Sequence, residues 1–142
     1  MRPTFRWLTA VLFVAIVCQV GFAGYGAFDA IHKAENGPIS KKTLEDAFNA
    51  HGFLGTLIVL VMLVLLIVAA AGRLGEYVKW SGGIFLLGIL QAVLGAVSAS
   101  VPALGFLHGL NALAIYAAVA LLAHRVWTES RATTATPAAS AA

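Results

Sequence analysis

Residues 48–71 decide the fold of this chain: they read FNAHGFLGTLIVLVMLVLLIVAAA and contain no acidic residue, lysine or arginine. An α-helix needs about 20 mostly apolar residues to cross the hydrocarbon core of a bilayer. Further runs of comparable length lie at roughly 7–28, 80–100 and 104–126. Because backbone groups in lipid must be satisfied within the protein, all of these runs are predicted to be transmembrane α-helices.

The composition supports the same conclusion for the whole chain. Of its 142 residues, 61% are hydrophobic and 11% are charged, whereas about a quarter of the residues in soluble domains are charged. We predict an all-α membrane protein in contact with the lipid bilayer, with one four-transmembrane-helix bundle over residues 1–126. Residues 127–142, rich in Ala, Thr and Ser, are predicted to form a disordered cytoplasmic tail. The net charge of +3 reflects this topology and does not indicate nucleic-acid binding.

Lysine and arginine residues predict the orientation. Six of them lie on the side that holds both chain termini, and three lie in the loop between the first two runs. Positive residues favour the cytoplasmic side, so we predict a multi-pass membrane protein with N- and C-termini in the cytoplasm. The basic start of the first run also resembles a signal peptide, but Gln19, Gly21 and Gly24 suit a helix that is retained and packed.

The four runs are predicted to form two repeated helical hairpins. In each, a glutamine and glycines on the first run are followed by a His-Gly pair near the outer end of the second. These elements are Gln19 with His51-Gly52, and Gln91 with His108-Gly109. A parallel repeat has its axis along the membrane normal, so His51 and His108 are predicted to face each other at equal depth.

The loop at 29–43 is polar and contains the helix breaker Asn36-Gly37-Pro38. Thr43 is predicted to cap a short interfacial helix that starts at Leu44, with Asp46 completing a capping box. The chain is then predicted to enter the membrane at about Phe48.

The two intramembrane histidines indicate a functional site, because a titratable ring is costly in hydrocarbon. Neutral imidazole is an axial ligand of haem iron, and two helices that each carry one histidine can hold a haem between them. We therefore predict a haem b site with His51 and His108 as the iron ligands. Four glycines are predicted to leave room for the porphyrin edge: Gly52, Gly55, Gly105 and Gly109. Three polar residues are predicted to support the ligands or a propionate: Gln19, Gln91 and Asn111.

Other interpretations remain open. The histidines alone can join helices by hydrogen bonds, which predicts a cofactor-free accessory or assembly subunit, and a metal or quinone site is a further alternative. A small-molecule transporter is disfavoured because the runs lack carboxylates. His32 and His124 lie at the water boundary, so one haem at most is expected. No set of catalytic residues emerges. Electron transfer or haem handling with a redox or haem-handling membrane partner is the leading functional hypothesis.

Two resemblances accompany this hypothesis. The stretch from Gln91 through Gly95 and a short turn to His108 resembles one four-helix half of the haem A synthase fold, as does the order from Gln19 to His51. This resemblance implies a histidine pair around a haem. Over nearly its whole length the chain is also similar to an uncharacterised bacterial family of small four-span membrane proteins. That similarity lies in Gln19–Phe28 with its Ala27-Phe28-Asp29 end, in residues 48–55 and in residues 107–112. It implies a location in a bacterial cell membrane.

Overall fold

The computed structural model describes residues 2–134, and these are almost entirely helical. In chain order the helices are α1 (Arg2–Glu35), α2 (Lys41–Ala47), α3 (Asn49–Ala71), α4 (Glu76–Ser98) and α5 (Pro102–Thr134). Within this described range there is no β-strand, and all helices except α2 are long and apolar enough to cross a membrane. The prediction of an all-α bundle with four membrane-spanning helices is therefore confirmed.

The four long helices form a ring in the order α1, α3, α4, α5, because each packs against two neighbours. Neighbours are antiparallel, and α1 and α4 occupy one diagonal while α3 and α5 occupy the other. Trp7 near the start of α1 contacts Trp127 near the end of α5, with ring centroids 5.4 Å apart. We call this the terminal end of the bundle. The opposite end, where α3 and α5 both begin, is the histidine end.

The first and last helices of the chain, α1 and α5, are longer than predicted. Helix α1 has 34 residues, about 50 Å of helix, which exceeds the roughly 30 Å hydrocarbon core. The predicted loop at 29–43 is consequently helical as far as Glu35, where Lys33 and Asp29 form an ion pair at 2.7 Å.

Helix α5 also continues beyond its predicted end, through Thr134. The first part of the segment predicted as a disordered tail is therefore helical, because it packs against α1: Trp127 contacts Trp7, and Arg6 Nη1 donates to Ser130 Oγ at 3.2 Å. Residues 135–142, on which the rest of that prediction falls, lie outside the described residues.

The short helix α2 begins earlier than predicted. Ser40 is its N-cap, and the Ser40 Oγ accepts from the backbone N of Thr43 at 3.1 Å. The predicted cap at Thr43 is wrong, because Ser40 satisfies the first turn and Thr43 already lies inside the helix. Helix α2 approaches α1 closely at Gly26, where a Cβ would stand 2.7 Å from the Ala47 carbonyl oxygen and 2.9 Å from Phe48 Cδ1.

The buried core extends from the middle of the bundle to the terminal end and is apolar except for Thr9 and Ser81. Helices α3 and α4 pack closely at Gly88. A Cβ on Gly88 would stand only 2.5 Å from Met62 Sδ, so the methionine side chain occupies the space that the glycine leaves.

The buried positions repeat between the two hairpins. Gln19 and Gln91 are 72 residues apart and His51 and His108 are 57 apart, and these two shifts relate the interior of α1 to α4 and of α3 to α5. The buried residues Thr9, Leu12 and Ile16 thus match the buried Ser81, Ile84 and Gly88, and those of α3 match α5 as Ile58–Ile115, Met62–Val119, Leu65–Leu122 and Ala69–Val126. The bundle therefore consists of two repeated hairpins related by an axis along its length.

Candidate functional site

The imidazoles of His51 and His108 meet inside the histidine end. Their ring centroids are 6.3 Å apart, and the ring planes are inclined by 62°. Since α3 and α5 lie on a diagonal of the ring, the two side chains reach across the interior of the bundle from opposite sides. Both residues are partly buried, and the contact between their rings places them at the same depth.

Gln19 on α1 holds His51. The His51 Nδ1 lies 3.1 Å from the backbone oxygen of Gln19. Because a carbonyl oxygen only accepts hydrogen bonds, Nδ1 carries the proton and Nε2 presents a lone pair. The amide nitrogen of the Gln19 side chain lies 3.3 Å from that Nε2 and also donates to the His51 backbone oxygen at 2.8 Å.

Gln91 on α4 holds His108 in the same way. The His108 Nδ1 donates to the backbone oxygen of Gln91 at 3.1 Å, and the Gln91 side-chain nitrogen lies 3.1 Å from the His108 Nε2. A neutral imidazole with a protonated Nδ1 bound to a carbonyl is the form that metal-ligating histidines take, with Nε2 left for the metal. Each hairpin therefore presents one imidazole in a ligand-competent tautomer.

Asn111 belongs to the second hairpin only. Its Nδ2 donates to the Leu87 backbone oxygen at 3.0 Å and to the Gln91 Oε1 at 2.7 Å. The side chain thus bonds to the glutamine and not to a histidine, whereas the predicted contact with a propionate stays a prediction. Leu54 occupies the equivalent position in the first hairpin, and the Gln19 Oε1 is buried without a hydrogen-bond partner among residues 2–134.

The four predicted glycines lie in different surroundings. Gly55 lies against the site, because a Cβ there would stand 2.9 Å from Gln19 Nε2. Gly105 faces Ser98 instead, which a Cβ would meet at 3.9 Å. Gly52 and Gly109 are exposed and border open space, so the structure does not bring them into the interior. They follow the histidines directly, and successive residues on a helix point about 100° apart.

Gly95 is a site residue that sequence reasoning did not single out for this role. A Cβ on Gly95 would stand 3.1 Å from Cε1 and 3.3 Å from Nδ1 of His108. Its signal was present in the sequence, since Gly95 follows Gln91 by one helical turn and therefore lies on the same side of α4.

His32 and His124 take no part in the site. Both are exposed, on α1 and α5 respectively, as expected for side chains at the water boundary. Among the described residues there is also no group of three or more His, Cys, Asp or Glu side chains close enough to hold a metal ion.

The terminal end carries charged and aromatic side chains, in contrast to the histidine pair at the opposite end. Arg125 pairs with Glu76 at 2.8 Å and with Glu129 at 3.3 Å, and the Arg6 guanidinium lies 4.6 Å from the ring centre of Trp127. A cavity of about 430 Å³ opens there between the start of α1 and the end of α5. The cavity therefore lies at the opposite end of the bundle from the two histidines.

The 6.3 Å between the ring centroids lies in the ordinary range for packed rings. It is also close to the spacing of about 6 Å that two imidazoles have when both bind one metal ion. Each Nε2 already accepts from a glutamine amide, so the Gln19 and Gln91 side chains must move aside before either nitrogen can bind a metal.

The fold and site define a class: a multi-pass membrane four-helix bundle with one histidine from each hairpin in its interior. Comparison with protein-family models, curated proteins and solved structures yields no match for the chain. The two family resemblances noted from the sequence therefore remain predictions, and the function has to be argued from the site.

Proposed function

We propose that this protein is an integral membrane haem b protein whose iron ligands are the Nε2 atoms of His51 and His108. The observation that carries this proposal is the meeting of two imidazoles, each with Nδ1 bonded to a backbone carbonyl, at a ring separation of 6.3 Å. With both axial positions filled by histidine, the bound haem would exchange single electrons rather than bind oxygen.

The residues of the chain would have separate tasks at this site. The backbone oxygens of Gln19 and Gln91 orient the two imidazoles and strengthen their basicity through the Nδ1 hydrogen bonds. Gly55 and Gly95 leave space beside the glutamine and the histidine, respectively. We propose electron transfer or haem handling as the role, with a redox or haem-handling protein in the same membrane as the partner.

The test is the visible spectrum of the protein purified from haem-replete cells. We expect a Soret band that sharpens on reduction. His51→Ala and His108→Ala should each abolish or severely weaken it, because each removes one ligand. His32→Ala and His124→Ala are matched controls that should leave the spectrum unchanged. Colourless wild-type protein from haem-replete cells would refute the proposal.

One observation favours a second candidate, a cofactor-free accessory or assembly subunit. Both Nε2 atoms are already engaged by glutamine amides, so the two Gln–His pairs can serve as interhelical hydrogen bonds alone. In that case the wild-type protein is colourless, and the alanine variants lose only thermal stability and the association with a partner.

We also propose a bacterial cell membrane location with both termini in the cytoplasm, supported by the excess of Lys and Arg at the terminal end. A reporter fused after residue 142 should be active in the cytoplasm. In a Cys18→Ser background, Asn36→Cys should react with a membrane-impermeant thiol reagent added from outside. Labelling only after the cells are opened would reverse the orientation.

A further inference from the structure

The two Gln–His pairs are equivalent in position but not in how their glutamine is held. Both side-chain hydrogen bonds of Gln19 leave from one atom, Nε2, and both go to His51. The side chain of Gln91 is held at both ends: Nε2 contacts the His108 Nε2, and Oε1 accepts from Asn111.

This difference determines what is lost when each amide moves. Gln19 can turn its amide off the His51 Nε2 and keep its bond to the His51 backbone oxygen. Its Oε1 has no hydrogen-bond partner among residues 2–134, so no bond on the oxygen side resists this motion. The same motion of Gln91 breaks the bond from Asn111, whose other amide hydrogen is committed to the Leu87 oxygen.

We infer that Gln19 is the displaceable side of the site and that Asn111 is a positioning residue that keeps Gln91 over His108. If haem binds here, the His51 Nε2 would therefore become available to the iron before the His108 Nε2. The order of binding rests on the proposed function, whereas the difference in glutamine mobility does not.

The mobility is measured first, on haem-free protein in detergent micelles. Side-chain ¹⁵N relaxation should give a lower order parameter for the Gln19 amide than for the Gln91 amide. Exchanging the residues at the equivalent positions should reverse the difference: Asn111→Leu frees Gln91, and Leu54→Asn supplies a donor to the Gln19 Oε1. Equal order parameters in the wild type, or a more mobile Gln91, would overturn the inference without any use of haem.

The binding order is measured from the association rate of ferric haem with the haem-free protein. His108→Ala leaves only His51 and should bind at close to the wild-type initial rate. His51→Ala leaves only His108 behind the tethered Gln91 and should bind about tenfold more slowly, roughly the factor that one net hydrogen bond contributes.

Double variants provide the matched controls. His51→Ala/Asn111→Leu should recover most of the lost rate, and His108→Ala/Leu54→Asn should become slow. Helical content by circular dichroism confirms that each variant is folded. Similar rates for the two single histidine variants, or no rescue by Asn111→Leu, would overturn the binding order. Failure of every variant and of the wild type to bind haem refutes the proposed function, and the order parameters then decide the inference alone.

Discussion

The terminal end and the histidine end of the bundle are built from different interactions. Toward the terminal end the interior consists of apolar side chains such as Leu12, Leu65 and Leu122, which are almost completely buried. At the histidine end the helices are joined by hydrogen bonds between partly buried glutamine and histidine side chains. Close van der Waals packing and interhelical hydrogen bonds both drive helix association in lipid, and this protein uses them in separate places.

This separation implies that the bundle and the site can be perturbed independently. Packing toward the terminal end holds the four helices together, while the hydrogen-bonded polar side chains of the histidine end lie outside this apolar core. Four substitutions test this comparison, and we order them by the expected loss of stability in detergent micelles.

The largest effect is expected for Gly88→Val. The new side chain would overlap Met62, because even a Cβ would stand 2.5 Å from its Sδ. Met62 is only 1% exposed, so its side chain has little room to turn away. Overpacking of this kind destabilises by about 1–3 kcal/mol, measurable as a lower unfolding temperature. Gly83→Val on the same helix is the control, since a Cβ there meets no atom within 4 Å. Met62→Ala should partly rescue Gly88→Val. Equal losses for the two glycine variants would contradict the close packing of α3 on α4.

Gly26→Val should have a smaller effect of about 1 kcal/mol. A Cβ at Gly26 meets the Ala47 backbone oxygen, which cannot turn away as a side chain can, so α2 must shift while the four long helices remain in place. We expect faster amide hydrogen exchange in α2 and little change in the other helices. Gly24→Val, two positions earlier and facing open space, should leave α2 protected. Loss of protection throughout the bundle would show that α2 is part of the core.

His108→Ala should cost no more than this in the haem-free protein, about 1 kcal/mol, because it removes two interhelical hydrogen bonds to Gln91 of about 0.6 kcal/mol each. The comparison sharpens when ferric haem is added. A ligand that binds only the folded state raises the unfolding temperature. The wild type should therefore gain stability, and His108→Ala, which keeps only the His51 ligand, should gain clearly less. A loss as large as that of Gly88→Val would mean that the histidine end carries as much of the stability as the apolar core.

Arg125→Gln at the rim of the terminal end should have the smallest effect. It removes ion pairs to Glu76 and Glu129, and exposed ion pairs contribute little to stability. We expect an unfolding temperature close to that of the wild type, both at low salt and in 0.5 M salt. A strong, salt-dependent decrease would assign a structural role to the charged rim.

The sequence allowed the membrane-spanning helices and the meeting of His51 with His108 to be predicted, because both follow from hydrophobic run length and an evident repeat of Gln and His-Gly. The ends of the helices were less predictable. Helix α5 passes through the polar segment after Val126 because Trp127 and Ser130 contact α1. Such contacts between distant residues leave no local signal in the chain.

The supporting contacts of the site show a similar limit. Gln19, Gln91 and Asn111 were recognised as polar residues that should face the interior, but their partners depend on the relative rotation of neighbouring helices. The bond from Asn111 to Gln91 rather than to a histidine follows from the packing of α5 on α4. The full register of the repeat was available in principle, because Thr9 and Ser81 precede the two glutamines by the same number of residues.

The repeat allows the two hairpins to carry different side chains at equivalent positions. A true homodimer of one hairpin would carry every side chain twice, once on each side of its two-fold axis. In a single chain that contains both hairpins, equivalent positions need not hold the same residue, and Leu54 and Asn111 do differ. Joining the two hairpins in one chain thus allows a mobile glutamine beside one imidazole and a tethered glutamine beside the other. A homodimer of identical hairpins cannot have this difference, because both copies share one sequence.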